Sequence, residues 1–492
     1  MDRVEDLKFW FITGSQFLYG PDTLLEVERD SKAIVEALND SGEIPCEIIY
    51  KDTVKTSEEI TSLIKEANYN NNCAGVIVFM HTFSPSKMWI NGLSLLQKPY
   101  LHFHTQFTEI IPNEAIDMDY MNLHQSAHGD REHGFIGARM RYPRKIVVGH
   151  WLDENVQRKI GKWVRSAVGV FISKNMKVMR FGDNMRDVAV TEGDKVGVQM
   201  KLGWEVNTWP VGLLVERMGS VSKSEIARKV DEYKSLYTVN DPHDLDAIEY
   251  QAREEIAIKG LMDEEACIAF TNTFENLYGM NQLPGLATQN LMRQGYGYGG
   301  EGDWKISALT ALMKKMSFGL DGGTSFMEDY TYDLKEGLSL GAHMLEVCLS
   351  IAANKARIEV HPLNIGDREP PARLVFEGKA GSAIVASLID IGGRLRMIVQ
   401  DINCVKPSQT MPNLPIARVM WRPEPSLTLG AECWILAGGA HHTALSYDCD
   451  AEIMRDWARM MDIEFVHISK DTDPTKFEQE LMLSDFVWHM RR

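Results

Sequence analysis

The first hundred residues alternate between short apolar strand patterns and longer amphipathic helix patterns. No other feature constrains the fold as strongly. LKFWFITGS, CEIIYKD, CAGVIVFMH and PYLHFHT read as strands, while TLLEVERDSKAIVEALNDSG and SPSKMWINGLSLLQ read as helices. Thr56 and Glu59 have the spacing of a capping box at the start of a further helix. Repeated β–α units of this kind predict a doubly wound parallel sheet.

The pattern changes further along the chain. From about residue 150 to 322 it stays mixed α/β, with helices predicted in WLDENVQRKIGKWVRSAV, SKSEIARKVDEYKSLY and LDAIEYQAREEIAIKGLM and a strand in MKVMRFGDN. From about residue 323, short strand patterns such as ARLVFEG, SAIVASLIDIG and RLRMIVQDI are separated by glycine and proline. This predicts a mostly antiparallel last domain, a barrel or a sandwich. A length of 492 residues suits roughly three domains.

Composition excludes several classes of function. The formal charge is -17 and no basic stripe is present, so nucleic acid is not an expected partner. The seven cysteines include no CxxC pair, which predicts reduced thiols in a cytoplasmic protein. The first residues lack the apolar core of a signal peptide, and no apolar run is long enough to span a membrane. No GxGxxG follows the first strand, so we expect no dinucleotide site.

Polar and aromatic side chains gather where the first predicted strands end. Ligands of doubly wound sheets bind beyond the carboxyl ends of the strands. The residues at this rim are Gln16, Phe17, Tyr19, His81, Thr82, Phe83, His102 and His104. Each one alone is more simply explained as an ordinary loop residue, but together they make a binding rim a reasonable hypothesis.

Four later segments carry a possible metal-binding set. GYGYGGEGDWK contains Glu301, SFMEDYTYDL contains Glu328, LGAHMLEV contains His343, and ILAGGAHHTAL contains the pair His441 and His442. Carboxylates and imidazoles together suit Mn²⁺, Mg²⁺, Co²⁺, Fe²⁺ or Zn²⁺. Neighbours in an extended segment point to opposite faces, so at most one histidine of the pair is expected to ligate.

Each of these residues also has a simpler explanation. His343 could be a core histidine with its own hydrogen-bond partner. Glu328 stands beside Asp329, and adjacent acids usually mark a solvated turn. Glu301 could be a charge favoured at a helix start, where Asp303 has the position of the N-cap. The spacings match no short metal motif, so the residues alone leave these alternatives open.

Eight stretches spread along the chain match the pattern of one family: FWFITGSQFLYG, LHFHTQF, FGDNMRDVAVTEGDKV, QLPGLA, GEGDWK, GGTSFMEDYTY, HMLEVC and WILAGGAHHT. Through them the chain resembles the bacterial L-arabinose isomerase family over essentially its whole length. The resemblance implies an N-terminal Rossmann-like domain at 1–175, a central α/β domain at 176–322 and a C-terminal antiparallel β-barrel domain at 323–492. It implies isomerisation of L-arabinose to L-ribulose, and of D-galactose to D-tagatose.

The resemblance also implies the site. Its metal ligands correspond to Glu301, Glu328, His343 and, of the histidine pair, His442, and the two glutamates are its acid–base pair. Its substrate-binding positions correspond to Gln16, Tyr19, Phe83, His128, Met185 and Phe274. The cofactor it implies is one Mn²⁺ per subunit, with other divalent metals as alternatives. Its members form homo-oligomers, often hexamers, whose active sites are shared between subunits.

Some residues depart from the family pattern. Leu349 stands where a proline is expected, which predicts a local change in a turn. His124, Asp130 and His133 stand near His128 where less ionisable residues are expected, and we expect them to shift the pKa of His128 or the pH optimum.

Two rival functions remain at this point. One is an isomerase that prefers another sugar, such as L-fucose or D-galactose. The other is a sugar-binding or regulatory protein that has lost the chemistry. The presence of all four expected ligands argues against the second.

Overall fold

The computed structural model describes residues 4–239 and 244–490, and the chain divides into two compact units, 1–171 and 172–492. All seven cysteines are buried and unpaired, as their number and spacing predict. Across the described ranges, we find no helix that combines the length and the apolar character needed to cross a membrane.

The first unit contains a five-stranded parallel sheet. Its strands are β1 (Lys8–Gly14), β2 (Glu47–Val54), β3 (Cys73–Met80), β4 (Tyr100–His104) and β5 (Lys145–Val148). Its helices are α1 (Gly20–Asp40), α2 (Ser57–Tyr69), α3 (Ile90–Leu95), α4 (Met118–Leu123), α5 (Ser126–Arg139) and α6 (Glu154–Ser173), the last of which crosses into the second unit. The strand order β2-β1-β3-β4-β5 reverses beside β1, as in doubly wound folds. The predicted parallel sheet is confirmed.

Local sequence explains these elements. β3 is buried along its whole length, as expected for a central parallel strand covered on both faces. Thr56 caps α2 by accepting a hydrogen bond from the Glu59 N–H. The Glu59 carboxylate accepts from the Lys55 N–H, one residue before the position that the capping-box pattern predicts.

The second unit begins with another parallel sheet, ordered β10-β9-β6-β7. Its strands are β6 (Lys177–Phe181), β7 (Glu205–Trp209), β9 (Ala269–Asn272) and β10 (Gly297–Gly299), with β8 (Thr238–Val239) in a separate small sheet. The helices of this region are α7 (Lys195–Leu202), α8 (Val211–Ser220), α9 (Lys223–Leu236), α10 (Leu245–Glu264), α11 (Leu286–Arg293) and α12 (Trp304–Met316). α12 is buried along nearly its whole length and follows β10 after a short turn.

The last part of the chain is mainly antiparallel. Its strands are β11 (Thr324–Asp333), β12 (Leu338–Ala342), β13 (Arg357–Val360), β14 (Ala372–Val375), β15 (Gly381–Asp390), β16 (Leu395–Val405), β17 (Arg418–Pro423), β18 (His442–Ser446) and β19 (Glu464–Ile468). Its helices are α13 (Leu427–Leu436), α14 (Ala451–Met460) and α15 (Pro474–Met490). The large sheet runs β15-β18-β11-β12-β17-β16-β19, and β15 also pairs with β16. The pairings therefore pass through six antiparallel strands and return to the first, with β19 added in parallel.

Candidate metal centre

Glu301 lies in the turn between β10 and α12. Its backbone has φ 60°, in the left-handed region that non-glycine residues rarely adopt. Gly300 and Gly302 flank it, and its carbonyl oxygen accepts a hydrogen bond of 2.9 Å from the Met185 N–H. A tight turn held in this way fixes the direction of the Glu301 carboxylate.

The antiparallel pairings bring the other predicted ligands to the same place. Glu328 of β11 is the register partner of His442, the first residue of β18. On its other side Glu328 is opposite Ala342, the last residue of β12, and His343 follows directly. Register therefore brings together three residues that are far apart in sequence.

The predicted ligands form a compact group. One ligand atom each from Glu301, His343 and His442 lie within 4.8 Å of one another, an arrangement that could hold a metal ion. Glu328 lies outside that group, with its Oε2 4.0 Å from His343 Nε2. His442 is fully buried, and its Nε2 has no hydrogen-bond partner although it lies 3.7 Å from Glu301 Oε2. A buried imidazole nitrogen without a partner beside carboxylates fits a divalent ion.

The simpler explanation of Glu328 does not fit this geometry, and those of Glu301 and His343 fit it only in part. Glu328 and Asp329 lie inside strand β11 and not in a solvated turn. Glu301 precedes the N-cap of α12, and its carboxylate lies beside the two imidazoles of His441 and His442. His343 does have a partner of its own, Glu346, but that bond uses Nδ1 and leaves Nε2 toward Glu328.

The expectation that His441 and His442 point to opposite faces is wrong. The Nε2 atoms of both rings lie 3.7 Å from Glu301 Oε2, and the ring centroids are 4.2 Å apart. The physical reason is that β18 begins only at His442, so strand alternation does not apply to His441. His442 is the buried member, whereas His441 is partly exposed.

Opposite charges shape the protonation of the group. Burial lowers the pKa of His343, but the Glu346 carboxylate at 2.5 Å outweighs burial and raises that pKa to about 9. The nearby imidazoles of His441, His442 and His343 outweigh burial and lower the pKa of Glu301. Because Glu301 favours its charged form, it is suited to bind a cation.

A cavity of about 140 Å³ adjoins the group. Glu301, Glu328 and His343 line one part of it. Phe274, one of the predicted substrate-binding residues, lines another part. The cavity therefore joins carboxylate and imidazole groups to an apolar wall, as small-molecule sites commonly do.

Four predicted substrate-binding residues lie in the first unit. Phe83 stacks on His128 with ring centroids 4.5 Å apart. The carbonyl oxygen of Phe83 accepts a 2.9 Å hydrogen bond from Gln16 Nε2. Tyr19 donates a 3.3 Å hydrogen bond to Gln125, the residue before α5. The structure thus brings Gln16, Phe83 and His128 together beyond the ends of β1 and β3.

The unexpected ionisable residues of the first unit make specific contacts. Asp130 accepts hydrogen bonds of 2.6 Å from both His102 and His104, and His124 stacks on His81 with centroids 5.6 Å apart. His102 and His104 are the two histidines predicted on β4. Their hydrogen bonds to Asp130 connect α5 to the sheet.

Two other residues that depart from the family pattern also have defined positions. His133 bonds to the Tyr100 hydroxyl. Leu349, which replaces the expected proline, begins a short 3-10 helix that ends at Ile351.

Sequence reasoning missed two carboxylates beside the histidines. Glu346 lies 2.5 Å from His343 Nδ1, and Asp303 lies 3.2 Å from His442 Nδ1. The His-x-x-Glu spacing of His343 and Glu346 was a usable signal. Asp303 was predicted only as the N-cap of α12, a role that it has through the Ile306 N–H.

Comparison with known proteins gives a consistent result over the whole chain. Family models described as the L-arabinose isomerase N-terminal, central and C-terminal domains match residues 3–175, 177–319 and 323–464. An L-arabinose isomerase of Thermotoga petrophila is 53% identical over 491 residues, covering 99% of both chains. That of Geobacillus stearothermophilus is 54% identical, covering 98% of this chain and 99% of its own. That of Anoxybacillus flavithermus is 54% identical over 488 residues, covering 98% and 97%.

Proposed function

Since the chain belongs to the L-arabinose isomerase family of aldose–ketose isomerases, we propose that it converts L-arabinose to L-ribulose at the Glu301–His343–His442 group. The observation that carries the proposal is the convergence of these three residues and Glu328 beside a cavity. We propose D-galactose as a second substrate, converted to D-tagatose, because it is also an aldose.

We propose that Glu301, Glu328, His343 and His442 hold one divalent metal ion, with Mn²⁺ preferred. The mixed carboxylate and imidazole donors support this, as does the unpartnered Nε2 of His442. When bound, such an ion supplies positive charge that polarises the sugar carbonyl and stabilises negative charge on the sugar oxygens.

The two glutamates supply the proton transfers in this proposal. Conversion of an aldose to a ketose moves one proton from C2 to C1 and another between the two oxygens. One of Glu301 and Glu328 takes the C2 proton and returns it to C1, through an enediol, while the other moves the oxygen-bound proton. The lowered pKa of Glu301 keeps that carboxylate able to accept a proton at neutral pH.

We propose the domain bounds 1–175, 176–322 and 323–492, which the spans of the three family models support. The strand order of the first sheet supports a Rossmann-like class for the first domain. The closed cycle of pairings through β15, β18, β11, β12, β17 and β16 supports a β-barrel in the last.

We also propose a cytoplasmic homo-oligomer, a hexamer, in which a neighbouring subunit supplies His128 to each active site. An apolar stripe on α15 supports assembly, because Met482, Leu483, Phe486 and Met490 are all exposed. The seven free thiols support a reducing compartment.

Turnover of a panel of aldoses, before and after chelation, tests this function. We expect L-arabinose to be the best substrate, D-galactose to follow, and L-fucose to be poor. Exhaustive chelation should abolish turnover, and Mn²⁺ should restore it best. Full activity in protein shown by elemental analysis to be metal-free would overturn the metal site, and a faster reaction with L-fucose would overturn the substrate assignment.

A further inference from the structure

Each histidine of the metal group has a carboxylate on the ring nitrogen that faces away from Glu301 and Glu328. Asp303 Oδ2 lies 3.2 Å from His442 Nδ1, and Glu346 Oε2 lies 2.5 Å from His343 Nδ1. His442, Asp303, His343 and Glu346 are all buried. Two separate parts of the chain therefore build the same arrangement around one site.

The chemistry of this arrangement selects one tautomer. An ionised carboxylate only accepts hydrogen bonds, so Nδ1 of each ring must carry the hydrogen. A histidine binds a metal only as the neutral imidazole, and in that form the other nitrogen, Nε2, presents its lone pair. The Nε2 atoms lie 3.7 Å from Glu301 for His442 and 4.0 Å from Glu328 for His343.

We propose that Asp303 and Glu346 are positioning residues that hold His442 and His343 with Nε2 ready to bind the metal. The inference rests on the metal site of the proposed function. It assigns both carboxylates a role in metal affinity, in addition to the helix cap at Asp303. Carboxylates that orient ligating histidines in this way commonly contribute about 10–100-fold in metal affinity.

The surroundings of Asp303 make its substitution by asparagine informative. Oδ1 accepts a 3.3 Å bond from the Ile306 N–H and lies 3.5 Å from Lys305 Nζ. These two donors would keep the amide oxygen of Asp303→Asn on their own side. The amide NH₂ would then face His442 Nδ1 and force the hydrogen onto Nε2, which blocks ligation. Asparagine is also a good N-cap, so the helix start is preserved.

Glu346 provides the opposite case. Its Oε2 accepts from both His343 Nδ1 and the Leu345 N–H, the latter at 3.1 Å. In Glu346→Gln the amide oxygen can keep both bonds, and the NH₂ faces the Tyr298 hydroxyl, which lies 3.4 Å from Oε1. Glu346→Met has a similar length but no acceptor. Glutamine should therefore be tolerated better than methionine.

Mn²⁺ titration of metal-free protein, with its melting temperature measured in parallel, tests the proposal. We expect Asp303→Asn and Glu346→Met to raise the Kd about 10–100-fold, and Glu346→Gln to raise it less than Glu346→Met. Asp401→Asn is the matched control, because Asp401 pairs with His467 at 3.1 Å in a part of the sheet that contributes no proposed ligand. Its Kd should equal that of the wild type.

The outcomes separate this inference from the proposed function. Wild-type Kd values in Asp303→Asn and Glu346→Met would overturn the positioning role and leave the metal site intact. Wild-type protein that binds no Mn²⁺ would overturn both. If Asp303→Asn lowers the melting temperature of the metal-free protein, its Kd is no longer informative, and the comparison of Glu346→Gln with Glu346→Met tests the proposal. Equal Kd values for Glu346→Gln and Glu346→Met would then overturn the proposal, and a lower Kd for Glu346→Gln would support it.

Discussion

At the scale of single residues, Glu301 has a main-chain conformation that its type disfavours. A φ of 60° commonly costs a non-glycine residue about 1–3 kcal/mol and persists only where the surroundings enforce it. Here the Met185 N–H binds the Glu301 carbonyl, and Gly302, with φ 81°, continues the turn. The turn directs the Glu301 carboxylate toward His441 and His442.

The first prediction concerns the two glutamates as proton carriers. Glu301→Gln and Glu328→Gln keep side-chain shape but remove the base, so we expect kcat to fall by about 10²–10⁴-fold. Bound Mn²⁺ must be measured in the same samples, because each substitution also removes a proposed charged ligand. Wild-type turnover in D₂O should place deuterium at C1 of the ketose.

Glu336→Gln is the matched control, since this exposed glutamate lies in the connection between β11 and β12. It should keep wild-type kcat. A near-normal rate in a metal-loaded Glu301→Gln or Glu328→Gln variant, together with no deuterium incorporation in the wild type, would contradict the glutamate mechanism and favour a hydride shift.

At the scale of elements, β10 lies so close to α12 that only glycine fits. A Cβ at Gly297 would overlap the Ser307 carbonyl oxygen and lie 2.6 Å from the Ala311 Cβ. We expect Gly297→Ala to push α12 away and destabilise the protein by about 1–3 kcal/mol, as overpacking commonly does. Because the turn with Glu301 joins β10 to α12, Mn²⁺ affinity should fall as well. Thermal melting and Mn²⁺ titration measure the two effects.

Gly219→Ala in α8 is the control for the loss of a glycine. A Cβ there meets nothing within 4 Å, so alanine should stabilise the helix by about 0.5–1 kcal/mol. If Gly297→Ala melts at the wild-type temperature, the close approach of β10 to α12 does not matter for stability.

Two histidines in the helical part of the first unit should make the stability of the protein depend on pH. Burial and then His81 lower the pKa of His124, at the end of α4, to about 4. Burial and then His102 hold the pKa of His133, in α5, well below its ordinary value. As pH falls, these histidines bind protons in the unfolded chain near pH 6.5, whereas His124 in the folded protein does so only near pH 4. Protonation therefore favours unfolding, and the free energy of unfolding decreases as pH falls from 6.5 toward 4.

Melting curves at pH 7 and pH 5 measure this effect. We expect His124→Asn to show a smaller drop in melting temperature between the two pH values than the wild type. His489→Asn, at an exposed position of α15, should show the wild-type drop. An unchanged drop in His124→Asn would count against this role of His124.

The local sequence pattern predicts most helices and strands, because a buried parallel strand or a capped helix is encoded in neighbouring residues. The residue types of the ligand segments indicate a possible metal site, but their spacing fits no motif, so the assignment of individual ligands depends on the resemblance. The partners of the ligands were not predicted. Asp303 reaches His442 through a contact that only the folded sheet creates, and the orientation of His441 depends on where β18 begins. Glu346 is the exception, because its His-x-x-Glu spacing from His343 is local. Long-range pairing decides such details, and local sequence carries little trace of it.

At the scale of the whole molecule, the proposed oligomer predicts complementation between inactive subunits. We expect His128→Ala and Glu328→Gln homo-oligomers each to be nearly inactive. After dissociation, mixing and reassembly, some sites would combine an intact His128 from one subunit with an intact Glu328 from its neighbour. Recovered turnover, measured against unmixed samples treated in the same way, tests this prediction.

A mixture of Glu301→Gln and Glu328→Gln is the control. Glu301 belongs to the compact group with His343, and Glu328 lies 4.0 Å from that same His343, so both residues lie at one site of one subunit. Reassembly cannot restore both residues at one site, and activity should not return. Demonstrably mixed oligomers of His128→Ala and Glu328→Gln that also stay inactive would argue that each subunit completes its own site.

The closed cycle of strand pairings determines when, during synthesis, the proposed metal ion could first bind. Glu301, Glu328 and His343 leave the ribosome well before β18, which brings His442 and joins β11 to β15. Until that strand emerges, the ligand group lacks its buried imidazole and the cycle stays open. Uptake of the proposed ion would therefore not guide early folding, because distant strands must pair first. It would be a late step that stabilises only chains translated past β18, and truncated chains would lack the added stability of a bound ion.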